Sequence, residues 1–429
     1  MRKRSFLAMV SMVIAFLLIN PMNAARADSS TKLIELLVKK GILTKEEAEA
    51  LNKEAMEEEK QQQAESDKQP AELTKNIEVR YKDGAYIKTT DDRFSLKMNL
   101  GIEPEFIYQA EEGADDSSTF KIRRARLIFG GNAFYPWLKY YTQLTLEGGS
   151  VSLRDAYLEA TYLDYLQPRA GQFKVPFDRE FLTGSFVLPF VERSIASSQF
   201  SLQRDIGLQL GGDLLGKQVA YAAGMFNGSG ANQSNVNNEY MYVGRIVWQP
   251  FGPYPYAQPP LGNDKSPLFA LGVAGAYMPQ LAPGERKTLA GVLGNTNIVP
   301  VPSDVYEYTF DLAFKYQRFW MEAGYYFRNI DPRSQTNIYP STNAWGMYVH
   351  GGYFLIPDKF ELTARYSYID PDNPTGIGTN PEYELTFGLN YYIYGNRIKT
   401  QLNYSYFKTE DDPEDQTEYL IQAAMVFLF

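Results

Sequence analysis

The side chains with the widest chemical scope in this sequence are arginines and lysines set into alternating runs, above all Arg124 and Arg126 in Arg123-Arg-Ala-Arg126. In an extended strand, residues two apart project from the same face, so these two guanidinium groups stand side by side. A guanidinium is planar, stays charged at every relevant pH and grips a carboxylate or phosphate in two contacts. Such a pair suits the capture and release of anions. Bond-making chemistry has little to draw on. There is no cysteine, and the one histidine, His350, sits in Val349-His-Gly-Gly352 without a Gly-x-Ser-x-Gly motif nearby. Asn227-Gly-Ser-Gly230 lacks the strand before and helix after that a phosphate cradle needs. Asp370, Asp372, Asp411, Asp412 and Asp415 fall in loops, where solvated acids are the default. No enzyme activity, metal site or cofactor is expected. A sequence pI near 5.0 and a net charge of −9 argue against nucleic acid as a partner.

The elements that must position the basic residues are strands. In the last segment Tyr419, Ile421, Ala423, Met425, Phe427 and Phe429 share one face, and Leu420, Gln422, Ala424, Val426 and Leu428 the other. The same period of two predicts about sixteen strands, near 93–109, 120–133, 137–148, 151–163, 167–174, 204–211, 217–228, 239–250, 267–277, 304–316, 318–330, 342–354, 358–370, 381–392, 396–409 and 417–429. A short piece at Ala85 to Thr90 is expected to pair with, plug or precede the barrel. The fold class is all-β, a transmembrane antiparallel barrel of sixteen strands, a size at which an aqueous channel remains.

Three features favour a membrane barrel over a soluble sandwich. Tight connections (Phe134 to Pro136, Gln317-Arg318, Tyr394 to Asn396) alternate with long ones (Ala110 to Thr119, Met278 to Ser303, Ile330 to Ser341). Aromatics gather near segment ends, as at Tyr325-Tyr-Phe327 and Tyr391-Tyr392, in the manner of interfacial girdles. The chain ends on Phe429 at the close of an amphipathic strand. If the apolar faces meet outer-membrane lipid, Arg124, Arg126, Lys139, Lys174, Arg245, Lys315, Arg328, Arg365 and Lys399 point into the lumen. So do Glu147, Asp155, Glu159, Asp311, Glu322, Glu361 and Glu384. The predicted lumen is mixed, with a modest basic excess, and cross-strand ion pairs that brace the wall are the alternative to a basic ladder.

Ahead of the barrel, residues 1–27 read as a signal peptide: a basic Arg2-Lys-Arg4, an apolar core from Phe6 to Ile19, and Ala25-Arg-Ala27 for cleavage. Residues 28–76 read as a periplasmic helical or coiled-coil segment and linker, with Thr44 and Glu47 spaced as a capping box. A solvated spacer, oligomerisation and contact with peptidoglycan are the roles open to it. The barrel domain takes 77–429.

The stretch Phe120-Lys-Ile-Arg-Arg-Ala-Arg-Leu-Ile-Phe-Gly130 resembles the Arg-Arg-Ala-Arg strand of the phosphate-selective porin O and P family. Asp155-Ala-Tyr157, Gly171-Gln-Phe-Lys-Val-Pro-Phe177, Glu192-Arg-Ser194, Arg204-Asp-Ile-Gly207 and Phe226-Asn-Gly-Ser-Gly230 extend the resemblance in order. It implies a homotrimeric, sixteen-stranded porin of the bacterial outer membrane with a basic pore for small anionic solutes, and assembly by the barrel-assembly machinery through the strand ending at Phe429. It also assigns residues 175–203, which carry Arg179, Glu180, Glu192 and Arg193 and lead to Arg204, to a constriction loop folded into the barrel. The expected function is a passive anion-preferring diffusion channel, for phosphate or other small anions. The other reading is a structural or adhesion barrel tethered through its N-terminal helix.

Overall fold

A computed structural model describes residues 76–429 except 82, 236, 263–265, 282–301, 334–340, 372–379 and 411–414, together with the isolated positions Glu46 and Lys53. The expected signal peptide, the capping box and nearly all of the helical segment lie outside the described residues, as do Asp372, Asp411 and Asp412.

A short hairpin, β1 (Ile77–Tyr81) and β2 (Ala85–Thr89), precedes the wall. Its turn uses Asp83 and Gly84 at positive φ; a Cβ on Gly84 would lie 2.6 Å from the Met98 carbonyl. The wall strands are β3 (Ser95–Glu111), β4 (Ser117–Asn132), β5 (Leu138–Thr145), β6 (Ser152–Ala160), β7 (Gln167–Lys174), β8 (Arg204–Leu214), β9 (Val219–Phe226) and β10 (Met241–Trp248). They continue with β11 (Leu268–Leu281), β12 (Ser303–Tyr316), β13 (Phe319–Pro332), β14 (Thr342–Ile356), β15 (Phe360–Asp370), β16 (Glu382–Tyr394), β17 (Ile398–Thr409) and β18 (Gln416–Leu428). Each pairs antiparallel with its sequence neighbour, and β18 returns to β3 with Phe427 opposite Ile102. This closes a sixteen-stranded barrel without an open edge. Phe429 completes the seam: its N–H donates to the Leu100 carbonyl at 2.9 Å, and the Leu100 N–H donates back at 2.7 Å. The sixteen predicted segments match β3 to β18 one for one, and the predicted 85–90 piece is β2, which pairs with β3.

The alternation decides which side chains face inward. Along β12, Glu307, Thr309, Asp311, Ala313 and Lys315 are buried, while Tyr308, Phe310 and Tyr316 are exposed. An exposed apolar belt around a polar interior inverts the soluble pattern and suits a lipid solvent. Connections follow the expected asymmetry. On one rim they are short, at 133–137, 161–166, 215–218, 317–318, 357–359 and 395–397. The other rim carries long ones, including 175–203 and 227–240. One connection breaks the rule: 249–267, between β10 and β11, is long yet leaves from the short-turn rim.

Two register shifts break the alternation where it matters. Opposite Glu103 and Pro104, β4 supplies Arg124 and Ile122, which leaves Arg123 as the extra residue of a bulge. Opposite Gln143 and Leu144, β6 supplies Asp155 and Leu153, which leaves Arg154 as the extra residue. A bulge re-aims the side chain it carries.

Candidate functional site

The lumen is organised by the connection 175–203. It opens from β7 with the Val175 N–H donating to the Gln203 carbonyl at 2.9 Å, and it holds two short helices, α1 (Arg179–Leu182) and α2 (Ile195–Phe200). Asp178 caps α1 by accepting from the Glu180 and Phe181 N–H groups; Ser194 caps α2 by accepting from the Ser197 N–H. Glu180 joins the helices by accepting from the Ser194 hydroxyl at 2.6 Å. A loop of this length holds one shape because its own polar groups are satisfied inside it.

It is then riveted to the inner wall strand by strand. The Tyr326 hydroxyl donates to Asp178 at 2.6 Å, Arg328 to the Gln199 carbonyl at 3.1 Å, and Ser367 Oγ accepts from the Ala196 N–H at 3.2 Å. Glu384 accepts from the Ile195 N–H at 2.9 Å, Asn390 donates to the Pro189 carbonyl at 2.8 Å, and Asn403 accepts from the Val191 N–H at 2.9 Å. Arg124 reaches the Val191 carbonyl at 3.0 Å and Arg126 the Ser185 hydroxyl at 2.5 Å. All these wall residues lie on β4 and β13–β17, on the face opposite the lipid belt, so the loop crosses the barrel interior. Phe186 seats on Gly101, where a Cβ would meet the ring at 2.3 Å.

The long connection from the other rim also turns inward, a feature the sequence reading left out. Gln258 is fully buried and donates to Glu322 at 2.7 Å, with His350 Nε2 at 3.1 Å. Lys315 donates to the Ala257 carbonyl at 3.1 Å, and Thr183 of the first loop to the Tyr256 carbonyl at 3.0 Å. Arg179 is clamped between the two segments: it pairs with Glu322 at 3.0 Å and lies over Tyr254 at 4.5 Å and Tyr256 at 5.3 Å. The signal for this fold was present in the sequence, since 249–262 is a charge-free Pro and Tyr run too long for its rim.

The predicted basic positions therefore divide. Arg245 forms a two-pronged pair with Asp311 at 2.7 and 2.9 Å, Arg328 pairs with Glu307 at 2.9 Å, and Arg365 pairs with Glu384 at 2.6 Å. Arg124 pairs with Glu103. Lys315 bonds Ala257, and Lys399 bonds the Leu188 carbonyl; both are buried under the inward segments. Arg193 turns into its own loop, donating to the carbonyls of Glu180 at 3.2 Å and Thr183 at 2.8 Å. Glu192 accepts from Arg123 at 2.7 Å, with Arg124 at 3.4 Å. Glu361 accepts from Trp320, Asn390 and Tyr392.

What stays open runs along the wall from β3 to β8. A cavity of about 400 Å³ at mid-barrel includes Arg126, Arg169, Lys174, Arg204 and Asp155 in its lining. A second, of about 660 Å³, opens toward the short-turn rim and includes Lys97, Lys139, Arg397 and Glu159. Ile128, Tyr141, Tyr157 and Leu428 line both, so the two cavities meet. Together they carry seven cationic side chains and two carboxylates. Each carboxylate is engaged: Asp155 with Arg204 at 3.0 Å, Glu159 with Arg169 at 2.6 Å. Arg154, delivered by its bulge, adds charge nearby among Arg204, Asp155, Glu147 and Arg193.

Comparison with known proteins agrees with the barrel fold. The family model for phosphate-selective porin O and P matches residues 94–428, and a second, for a putative porin, matches 27–98. An uncharacterized protein of Aquifex aeolicus is 24% identical, across 94% of this chain and 96% of its own. Among solved structures, the anion-selective porin from Comamonas acidovorans superposes with a TM-score of 0.55 at 12% identity, covering 78% of this chain and all of that one. OmpF of Salmonella typhi, in complex with daunomycin, gives 0.55 at 12% identity, covering 82% and 100%. At such identity these two share the fold.

Proposed function

The chain belongs to the phosphate-selective porin O and P family and is an outer-membrane porin channel; from that premise we propose that it passes small anions in preference to cations. The observation that carries this reading is the uneven lumen. The sector from β10 to β17 is filled by two inward segments and its charges are paired or bonded to loop carbonyls, whereas the open sector is lined by seven cations against two engaged acids. The solutes would be phosphate or other small anions entering by diffusion, with residues 175–203 as the constriction. Lys139, Lys174, Arg126 and Arg204 would meet the solute, while Arg193, Arg245, Lys315, Arg365 and Lys399, with Arg179, Glu180 and Glu192, would hold the constriction in place.

Strand length supports an oligomer, read here as a homotrimer. A tilted strand needs about 9–11 residues to cross a bilayer. β5, β7, β9 and β10 have eight residues each and β6 nine, all in one sector. A sector at or below that limit is better covered by a second copy than by lipid. The leader at 1–27 and the segment 28–76 would leave the mature N-terminus in the periplasm.

The test is the reversal potential of the purified protein in a planar bilayer under a KCl gradient. Chloride permeability above that of potassium is expected. A cation-selective current would refute the proposal and leave the fold untouched.

A further inference from the structure

We propose that the mid-barrel cavity is a binding site for organic anions with an apolar body, aromatic or longer-chain alkyl carboxylates, in preference to inorganic phosphate. This rests on the anion-passing reading above and names the solute class for the same passage.

The donors that line the cavity are mostly in use. Arg204 is held in two contacts by Asp155, at 3.1 and 3.0 Å. Arg169 donates to Glu159 and lies over the rings of Tyr157 at 4.6 Å and Phe173 at 5.3 Å. Lys174 gives hydrogen bonds to the carbonyls of Phe181, Leu182 and Thr183 at 2.8, 3.0 and 2.9 Å. Arg126 is different. It is 4% exposed, its Nη1 donates to Ser185, and its buried Nε makes no hydrogen bond and lies 3.7 Å from the Glu147 carboxylate. Its guanidinium lines the cavity with part of its donor set outside any hydrogen bond.

Apolar groups share the lining with these charges. The Arg126 guanidinium lies 5.7 Å from the centre of the Phe186 ring. Ile128, Val187 and the stacked pair Tyr141 and Tyr157, 5.4 Å apart, also face the space. A carboxylate has two oxygens and one charge, which a single planar fork matches. A phosphate dianion brings more acceptor positions and a tighter hydration shell, and walls of carbon replace neither. An aromatic or alkyl carboxylate sets its head on Arg126 and its body against Phe186 and Tyr141, so both parts exchange water for a partner. The volume of about 400 Å³ lies in the range of small-molecule sites.

The experiment uses the full protein in planar bilayers and measures the concentration of benzoate, acetate or inorganic phosphate that halves the KCl current. Benzoate is expected to act at about one tenth the concentration of acetate or phosphate, a difference of about 1.4 kcal/mol. Phe186→Leu should bring benzoate close to acetate. If phosphate or acetate blocks as well as benzoate in the natural protein, the inference is wrong. It is also wrong if the advantage of benzoate survives in the variant intact. An anion-selective KCl reversal potential alongside either result leaves the broader reading standing; a cation-selective one removes both.

Discussion

Replacing Arg126 with glutamine is the sharpest perturbation of the charge argument, because it removes a cation from the open passage while keeping a side chain that can bond Ser185. For an ion about 7 Å from the guanidinium across water, the interaction is about 0.6 kcal/mol, and screening in about 0.1 M salt reduces it to about 0.3 kcal/mol. The anion loses this attraction and the cation loses the equal repulsion, so the chloride-to-potassium permeability ratio should fall about threefold, more if the site is drier than bulk water. The assay is the reversal potential under a KCl gradient, with a paired control. In Arg333→Gln combined with Asp304→Asn, an ion pair of 3.0 Å at the far end of β12 and β13 loses both charges. That pair lies across the barrel from the open cavities, so the permeability ratio should hold. An unchanged ratio in Arg126→Gln, or a shift of similar size in the double variant, would refute the claim that selectivity lives in the β3 to β8 sector.

Other expectations follow from the same geometry. Arg245→Met leaves buried Asp311 with only Arg179 at 3.9 Å, and should cost about 3–5 kcal/mol in urea unfolding, whereas Arg245→Met with Asp311→Leu should come near the natural protein. Glu192→Gln releases part of the hold on Arg123 and Arg124, and should raise the chloride-to-potassium ratio measured in the same bilayers. Replacing 250–260 by a two-residue turn removes the segment that fills the lumen beside β12 to β14, so single-channel conductance should rise. Leu158→Arg with Leu208→Arg, on the exposed outer face of the short-strand sector, should convert the oligomer to monomers by native mass in detergent; a persisting oligomer would move the interface elsewhere.

The strands were legible because a half-buried strand must alternate, and lipid on one side with polar groups on the other enforces that alternation as strictly as a soluble core does. The short turns at 317–318 and 395–397 were legible for a related reason, since nothing else fits between two registers so close. What alternation cannot report is its own interruption. It sends Arg123 to the lipid face, yet the bulge opposite Glu103 turns it inward to Glu192. Nor can it tell a basic residue that meets solute from one sealed beneath a loop. Arg365 and Lys399 read as equivalents of Arg126, and the difference lies in the 175–203 loop, whose Ile195 and Leu188 contact Glu384 and Lys399, residues about 190 to 210 positions away.

The division of the lumen also resolves how a chain of net charge −9 presents a basic passage. Its inward acids are concentrated where the two segments press on the wall: Glu307, Asp311, Glu322, Glu361 and Glu384 are all buried and bonded there. A buried acid must be paired, so each holds a cation or a polar partner out of the solute's path. Filling one side with loop thus removes acids and cations together and leaves the other side with its excess. The cost of this arrangement is that few charges remain exposed to the solute. In a distributed ladder the loss of one arginine would be diluted among many; here Arg126 is one of four cations at the inner cavity, two of which already serve Asp155 and Glu159. Sensitivity to single substitutions in β4, set against indifference to pair replacement in β12 and β13, is therefore a signature of the filled half-barrel and would be absent if the charges acted as an evenly lined tube.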